Sequence, residues 1–294
     1  MQKFLNYSED DFRETLDKVA KKYYKTGEEA ATGVLSSNRA FSRLKYYAKR
    51  SRRILECGCG AGTTLQLCWQ PKAQFTGLDI SRYAIRKAKI KWKNKRNVRL
   101  MVGDVRNLPF VKESFDFVFS AYVLEHVINV QNMVDEMVRV LKKRGKILLI
   151  APNYGSPIEF SPSFEMVGIK PLLHSIKLLM LSHLWLILPP KNLIWNQVEP
   201  LIIKTKEYFP DSDTVVEPYI QTLATYLGKK NIKIREISSG LDWPQANGNL
   251  KFTNLPIKYK LFAFAKRTVI ELGKRGINPY KYYGSTLFVV GEKL

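Results

Sequence analysis

The chain contains little cysteine and little histidine. Only three cysteines and three histidines occur in 294 residues. The cysteine count is odd, and no histidine lies at a ligand-like spacing from a cysteine, so we expect neither a disulfide framework nor a zinc site. No other pattern indicates a metal, and we predict no metal site. This cysteine usage fits a reducing cytoplasm.

Internal repeats, low-complexity tracts and a recognisable signal peptide are also lacking. Residues 8–11 are typical of a helix cap with an acidic first turn, and an amphipathic stretch runs from Phe12 to Tyr24. We expect one or two helices here, ahead of a sheet. A chain of this length is better explained by one α/β domain with insertions than by two independent domains.

Acidic residues are scarce relative to basic ones. Lys and Arg number 48 against 26 Asp and Glu, a formal charge of +22, which favours a polyanionic partner or surface. Nine basic residues and no acidic residue lie between Asp79 and Asp104. They are Arg82, Arg86, Lys87, Lys89, Lys91, Lys93, Lys95, Arg96 and Arg99. They cannot share one helix face, so the run indicates a solvated basic helix more than a nucleic-acid groove reader.

An apolar run with a carboxylate, Glu56, leads into three glycines at alternate positions. These glycines are Gly58, Gly60 and Gly62. The pattern predicts a buried parallel strand and a turn in which glycines adopt positive φ and let the backbone approach a ligand. Asp79 ends a second apolar run and is placed for a ribose diol. A nucleoside-cofactor site is indicated, with a ligand-free glycine turn as the alternative.

Two further segments stand where a cofactor-binding sheet needs them. A strand predicted from Val98 to Val102 is followed by Asp104 and Val105. The carboxylate can accept a hydrogen bond from an exocyclic amine such as that of adenine, and the valine offers an apolar face to the ring. A fourth buried strand, 115–120, opens into the sequence Leu-Glu-His-Val at 124–127.

With these segments the chain resembles the class I S-adenosylmethionine-dependent methyltransferases, in the type 11-like group whose core carries Leu-Glu-His-Val. The likeness is strong from Arg53 to Asn153 and loose elsewhere. It implies an α/β, Rossmann-like fold: a seven-stranded, mostly parallel sheet with an antiparallel last strand, helices on both faces, and helical insertions. The implied cofactor is S-adenosylmethionine. Cys57 and Cys59 depart mildly from the family pattern and are expected to pack as small apolar residues.

The resemblance also implies the cofactor-binding residues. Glu56, Gly58, Gly60 and Gly62 would line the methionine part, Asp79 the ribose hydroxyls, and Asp104 with Val105 the adenine, with Ile80 and Ser120 also among the cofactor-binding residues. We expect an N-terminal helical cap over 1–50, the cofactor-binding core over 51–153, an insertion over 154–216, and completion of the sheet over 217–294 with a second insertion at 241–283. The remaining elements are predicted as a helix over 130–141, strands over 146–151, 233–237 and 285–290, and a helix over 219–227.

The first insertion holds the most apolar part of the chain, from Leu172 to Leu188. Its length is at the short limit for a membrane span. Two interpretations are open: a lid or core helix with its apolar face inward, or a helix lying in a membrane interface. The segment 261–267 in the second insertion, apolar with a basic end, also suits an anionic surface.

His126 is the candidate catalytic base, with Glu125 beside it, because both would lie at the carboxyl end of the sheet where ligands bind. Helix capping or packing beneath the cofactor is the alternative. Asp211 and Asp213 could bind acceptor hydroxyls or cap a helix. The segment 120–123 lacks the motifs of base-methylating enzymes, so nucleic acid is the less favoured acceptor.

We therefore predict a cytoplasmic methyltransferase, peripheral at the inner membrane face, that acts by O-methylation on a small-molecule, lipid-linked or glycan-linked acceptor. An RNA methyltransferase and a catalytically inactive partner protein remain alternatives.

Overall fold

The computed structural model describes residues 39–164, 169–193, 195–239 and 275–294, with short pieces at 14–16, 18–19, 22, 267–269 and 271–273. Most of the helix predicted over 12–24 and most of the apolar segment 261–267 lie outside these residues. Among the described residues, helix α1 (Arg39–Ala48) lies directly before the sheet and the pieces at 14–16 and 18–19 are also helical, which agrees with the expected one or two helices.

Seven strands of the described chain form one mixed sheet. They are β1 (Arg53–Cys57), β2 (Gln74–Asp79), β3 (Val98–Val102), β4 (Phe115–Ala121), β5 (Leu141–Pro152), β8 (Ile232–Ser238) and β9 (Thr286–Lys293), while β6 (Asn196–Gln197) and β7 (Val216–Glu217) form a separate short ladder. The order is β3-β2-β1-β4-β5-β9-β8. Strand β9 is antiparallel to both of its neighbours. The predicted fold class is confirmed.

Helices cover both faces of this sheet. After α1 come α2 (Leu65–Cys68), α3 (Arg82–Lys91), α4 (Val130–Val140), α5 (Lys170–Ile187), α6 (Leu201–Thr205) and α7 (Ile220–Lys229). Alternate residues of β1 point to opposite faces: Leu55 joins the core beneath α4 and α7, and Ile54 joins the core beneath α1, α2 and α3. All three cysteines are buried in these cores, which fits their predicted packing role.

Two strands extend beyond the apolar runs that predicted them. Strand β5 begins at Leu141, and β9 continues to Lys293. Their polar ends are held by an ion pair between Lys146 and Glu292 and by Lys293 Nζ, which donates to the carbonyls of Val138 and Leu141 at 2.9 and 2.8 Å. Hydrophobicity marks only the buried part of a strand, so these ends were missed.

Helix α5 lies on the surface of the molecule. Ser182 is its one buried residue among those described. A core position for this helix is therefore wrong, while a lid role stays a prediction. None of the described helices is long and apolar enough to cross a membrane.

Candidate active site

The glycine turn follows β1 at the point where the strand order reverses. Gly58, Gly60 and Gly62 have φ of +78°, +50° and +74°. These angles lie in the left-handed region that side chains disfavour. Strands β1 and β4 are neighbours here, so the turn lies at the topological switch point, where ligands bind in open α/β sheets.

Two of the glycines are also required by close packing. A Cβ on Gly58 would lie 2.3 Å from Val123 Cγ2, and one on Gly62 would lie 2.9 Å from Trp92 Nε1. The Trp92 indole in turn donates to the Gly62 carbonyl at 3.0 Å. The side chains of Val123 and Trp92 thus pack against the turn on one side. The glycines themselves contribute only backbone.

Glu56 enters this turn as a buried carboxylate. The residue is 2% exposed, and its Oε2 has no hydrogen-bond partner. Burial raises the pKa of Glu56 well above its usual range, against an opposing hydrogen bond from the Thr64 side chain. A buried carboxylate oxygen without a partner is costly, so this position favours a cationic or hydrogen-bonding ligand group.

Asp79 ties the end of β2 to the turn. Its two carboxylate oxygens accept hydrogen bonds from the backbone N–H groups of Gly60 at 2.8 Å and Ser81 at 2.9 Å. These bonds fix the carboxylate beside the glycines, as the predicted ribose contact requires. The neighbouring Ile80 is about half exposed at this edge.

Asp104 follows β3, and its carboxylate is engaged by Arg106. The guanidinium forms a two-point contact, with Nε at 3.0 Å from Oδ1 and Nη2 at 2.6 Å from Oδ2. Val105 between them is buried. The sequence interpretation did not include this arginine, which orients the carboxylate proposed for the adenine.

Ser120 lies within the sheet. It is fully buried, and its hydroxyl donates to the Cys57 carbonyl at 2.9 Å, joining β4 to β1. Its observed contact is within the sheet, and its predicted cofactor contact stays a prediction.

Beyond β4, Val123 lies against Gly58, and the short 3₁₀ turn that follows (Leu124–His126) carries Glu125 and His126. His126 Nδ1 lies 3.2 Å from Asp213 Oδ2, and His126 Nε2 lies 3.6 Å from Glu125 Oε1. Glu125 is fully buried, and neither of its carboxylate oxygens has a hydrogen-bond partner. The backbone N–H of Val215 donates to the Glu125 carbonyl at 2.8 Å and thereby fixes the Asp213 loop against the turn.

Two more polar side chains complete this cluster. Asp211, at φ +61°, accepts a 2.5 Å hydrogen bond from the Tyr154 hydroxyl. Each of Glu125, His126 and Asp211 offers one side-chain nitrogen or oxygen atom, and these three atoms all lie within 4.8 Å of one another. We call Glu125, His126, Tyr154, Asp211 and Asp213 the acid-base cluster.

The protonation of the acid-base cluster is strongly perturbed. Burial alone lowers the pKa of His126, but the carboxylates of Asp213, Glu125 and Asp211 outweigh it and raise the value to about 9. Burial raises the pKa of Glu125 to about 8, opposed by the nearby imidazole. At neutral pH the imidazole therefore holds a proton and is charged, and the Glu125 carboxyl also keeps its proton.

Residues from distant parts of the chain assemble this cluster. Tyr154 follows β5, and Asp211 and Asp213 close the first insertion. Sequence analysis singled out both aspartates but not their pairing with His126, and it gave no role to Tyr154. No local pattern reports a contact between positions 87 residues apart.

Comparison with known proteins identifies the domain. The family model for a methyltransferase domain matches residues 55–149. A malonyl-[acyl-carrier protein] O-methyltransferase of Legionella pneumophila is 33% identical over 114 residues, 38% of this chain and 40% of that protein. A demethylmenaquinone methyltransferase of Lactococcus lactis is 30% identical over 171 residues, 56% of this chain and 62% of that protein. The chain thus spans less than two thirds of these relatives.

Solved structures share the fold. An S-adenosylmethionine-dependent methyltransferase from Mesorhizobium loti matches with a TM-score of 0.54 and 13% identity, covering 88% of this chain and all (100%) of that one. Phosphoethanolamine N-methyltransferase 2 of Haemonchus contortus, in complex with S-adenosylmethionine, matches with a TM-score of 0.52 and 15% identity, covering 96% of this chain and 60% of that one. The sequence matches show that the chain carries an S-adenosylmethionine-dependent methyltransferase domain, with S-adenosylmethionine as its cofactor, and the solved structures show that it has the class I fold.

Proposed function

We propose that this protein transfers a methyl group to a hydroxyl of a small-molecule, lipid-linked or glycan-linked acceptor. The observation that carries the proposal is the buried acid-base cluster at the 3₁₀ turn after β4, which follows directly on Val123 and its contact with Gly58. A hydroxyl must lose its proton as it attacks, and carboxylates and imidazole are the side chains that accept hydrogen bonds from hydroxyls and take up such a proton. The name of the Legionella relative, an O-methyltransferase, supports transfer to an oxygen atom.

The residues present fit the cofactor. Glu56 Oε2 is a buried acceptor atom without a partner, and the amino group of S-adenosylmethionine is a cation that suits it. The glycine turn has a backbone that tolerates no Cβ at Gly58 or Gly62. Asp79, whose carboxylate is held by hydrogen bonds from two backbone N–H groups, would accept hydrogen bonds from the ribose hydroxyls. Asp104, oriented by Arg106, would accept a hydrogen bond from the adenine amine. When bound, the cofactor supplies an electrophilic methyl group.

The side chains of the acid-base cluster have different roles toward the acceptor. Asp213 holds Nδ1 of His126, so the imidazole plane is fixed and Nε2 is the nitrogen that meets an acceptor proton. Asp211 and Tyr154, hydrogen-bonded to each other in the same cluster, would bind a second acceptor hydroxyl. The raised pKa of His126, about 9, means that the imidazole must lose its resting proton before it can act as a base. Turnover should therefore increase as pH rises toward that value.

Peripheral contact with the inner membrane face is part of the proposal, because a lipid-linked acceptor resides there. The basic excess of the chain favours such an anionic surface.

Cofactor binding is tested first, by calorimetry on the wild type, Asp79→Asn and Asp116→Asn. Asp116 is the matched control: its carboxylate also accepts two backbone N–H groups, those of Arg52 and Arg53, but at the amino end of the sheet. We expect Asp79→Asn to weaken S-adenosylmethionine binding at least tenfold and Asp116→Asn to preserve it. Equal binding by all three proteins would contradict the assigned ribose contact.

The acceptor is tested by incubating protein and methyl-labelled S-adenosylmethionine with lipid, glycan and small-molecule extracts and with total RNA. We expect label in one of the first three, lost in His126→Ala, with NMR of the product showing an O-methyl group. Label confined to RNA would overturn the acceptor class. Tight cofactor binding with no label in any fraction would instead support the inactive partner protein.

A further inference from the structure

Helix α5 turns an aliphatic side to solvent. In α4, by contrast, the buried residues are apolar, including Met133, Val134 and Met137. In α5 the side that packs on the protein mixes polar residues such as His174 and Ser182 with the half-buried Leu178, Leu181 and Trp185, and the side turned to solvent is aliphatic. A surface helix of a water-exposed domain has the opposite arrangement.

The inner face of α5 is defined by contacts at helical spacing. The His174 ring lies 4.6 Å from the Phe164 ring, and Trp185 lies 5.8 Å from Tyr219. Between them Ser182 is completely buried and is hydrogen-bonded to the Tyr283 hydroxyl. The helix is thus docked through a side that mixes polar and aromatic contacts.

The neighbouring helix also binds the α5 backbone. Gln221 Nε2 in α7 donates to the Ser182 carbonyl at 2.9 Å. This bond and the inner-face contacts fix the rotation of α5 about its own axis, so the outward direction of its aliphatic side is set by specific bonds.

The outer face of α5 consists of aliphatic residues that fall within one third of the helix circumference. They are Leu172, Leu173, Ile176, Met180, Leu184 and Ile187, all exposed. His183 is a polar residue on this side, and its Nδ1 is hydrogen-bonded to the Leu179 carbonyl at 2.8 Å. Helix α5 has eighteen residues and is about 27 Å long at 1.5 Å per residue, and the aliphatic stripe runs along nearly all of it. Such a stripe is a large apolar surface to leave in water.

The charge around the outer face indicates what covers it. No acidic residue occurs between Glu165 and Glu199, and the basic residues in that interval are Lys170, Lys177 and Lys191. Lysines beside an apolar stripe suit the boundary between anionic headgroups and acyl chains. If two copies of the chain packed together through this face, their lysines would come close to one another, and this segment has no acidic residue to pair with them.

We propose that α5 lies in the interface of an anionic lipid bilayer, with its outer face among the acyl chains and Lys177 and Lys191 at the headgroups. The same insertion carries Asp211 and Asp213 of the acid-base cluster. The inference stands apart from the proposed acceptor, because vesicle binding is measured without any methyl transfer.

Co-sedimentation of the full chain with vesicles tests this proposal. The vesicles are phosphatidylcholine alone or phosphatidylcholine with phosphatidylglycerol. The test variant is Met180→Asp with Ile187→Asp, whose native side chains are 68% and 78% exposed. The matched control is Ile90→Asp with Val111→Asp, 71% and 78% exposed and located outside the insertion. Both variants change the net charge equally, so general electrostatics affects both alike.

We expect the wild type and the control to bind the anionic vesicles, and the α5 variant to bind at least tenfold more weakly. Lys177→Gln with Lys191→Gln should also weaken binding to anionic vesicles, which keeps the test decisive if the aspartate variant does not fold. Absence of wild-type binding, or equal loss in the control, would overturn the proposal. A wild-type dimer in light scattering that the α5 substitutions dissociate, without vesicle binding, would assign the outer face to a second copy.

Discussion

Replacing Asp213 by Asn should lower the pKa of His126 and leave its position in the fold unchanged. In the wild type, burial lowers this pKa, and the carboxylates of Asp213, Glu125 and Asp211 raise it to about 9. Asp213 has the largest raising effect, with Oδ2 at 3.2 Å from Nδ1. An opposite charge at such a distance shifts a pKa by about 1 to 3 units, so the variant should titrate at about 6 to 8.

The assay is a proton NMR titration of the histidine ring resonances. The chain has three histidines, so a His126→Gln spectrum assigns the resonance of interest by its loss. Burial lowers the pKa of His174, which provides an internal reference that Asp213→Asn should not move. A wild-type His126 that titrates at or below its ordinary value of about 6.5 would refute the reasoning. So would an identical curve in Asp213→Asn.

The same shift has a consequence for stability. The folded-state pKa of His126 is raised above the unfolded value, so its contribution to the free energy of unfolding is fully present below about pH 6.5 and is lost as pH rises through about 9. Thermal unfolding of the wild type should therefore show a falling melting temperature across this window, and Asp213→Asn should flatten that slope.

Three further predictions concern the glycine turn and the buried carboxylates. Gly58→Ala should abolish S-adenosylmethionine binding in calorimetry, because its Cβ would meet Val123 at 2.3 Å and the backbone φ is +78°. Adding Val123→Ala removes the collision but not the backbone strain, so full recovery of cofactor binding in the double variant would show that the strain has no effect. Burial raises the pKa of Glu56 well above its usual range, and the cationic amino group of the cofactor would lower that pKa again, so cofactor binding should be coupled to proton release. The measured enthalpy should then vary with the ionisation enthalpy of the buffer in the wild type and not in Glu56→Gln. Burial raises the pKa of Glu125 to about 8, so the folded protein loses stability as pH rises from about 4.5 to 8 and this carboxyl ionises. Glu125→Gln should therefore unfold at a higher temperature than the wild type at pH 8, by about 2 to 4 °C for each 1 kcal/mol of unfolding free energy recovered. A lower melting temperature in that variant would show that its buried carboxylate is stabilised by contacts.

The sheet and the cofactor turn could be predicted from sequence because their signals are local. An apolar run followed by Glu56 and alternate glycines reports a strand and its turn within nine residues. The strand Val98–Val102 was predicted with the bounds that the structure shows. Strand ends such as Lys293 were missed because ion pairs and backbone contacts, not apolar side chains, extend them.

The acid-base cluster was only partly predictable. His126 and Glu125 followed from their place after β4, but the pKa of His126 depends on Asp213, which the insertion brings back to the turn. Likewise, composition shows that the segment around Met180 is apolar, but the contacts of Ser182 decide which side faces outward. Both features depend on long-range packing, which a one-dimensional pattern does not contain.

The position of β9 has a consequence for how the chain folds during synthesis. This strand comes after β8 and after both insertions, yet it lies between β5 and β8 in the sheet. Until it emerges from the ribosome, β5 has an open edge, and β8 has no neighbour in the sheet. An unpaired apolar strand edge is a site for intermolecular pairing. A nascent chain that has reached residue 239 therefore exposes this edge over the whole time needed to make the second insertion, and chaperone demand should be greatest in that interval.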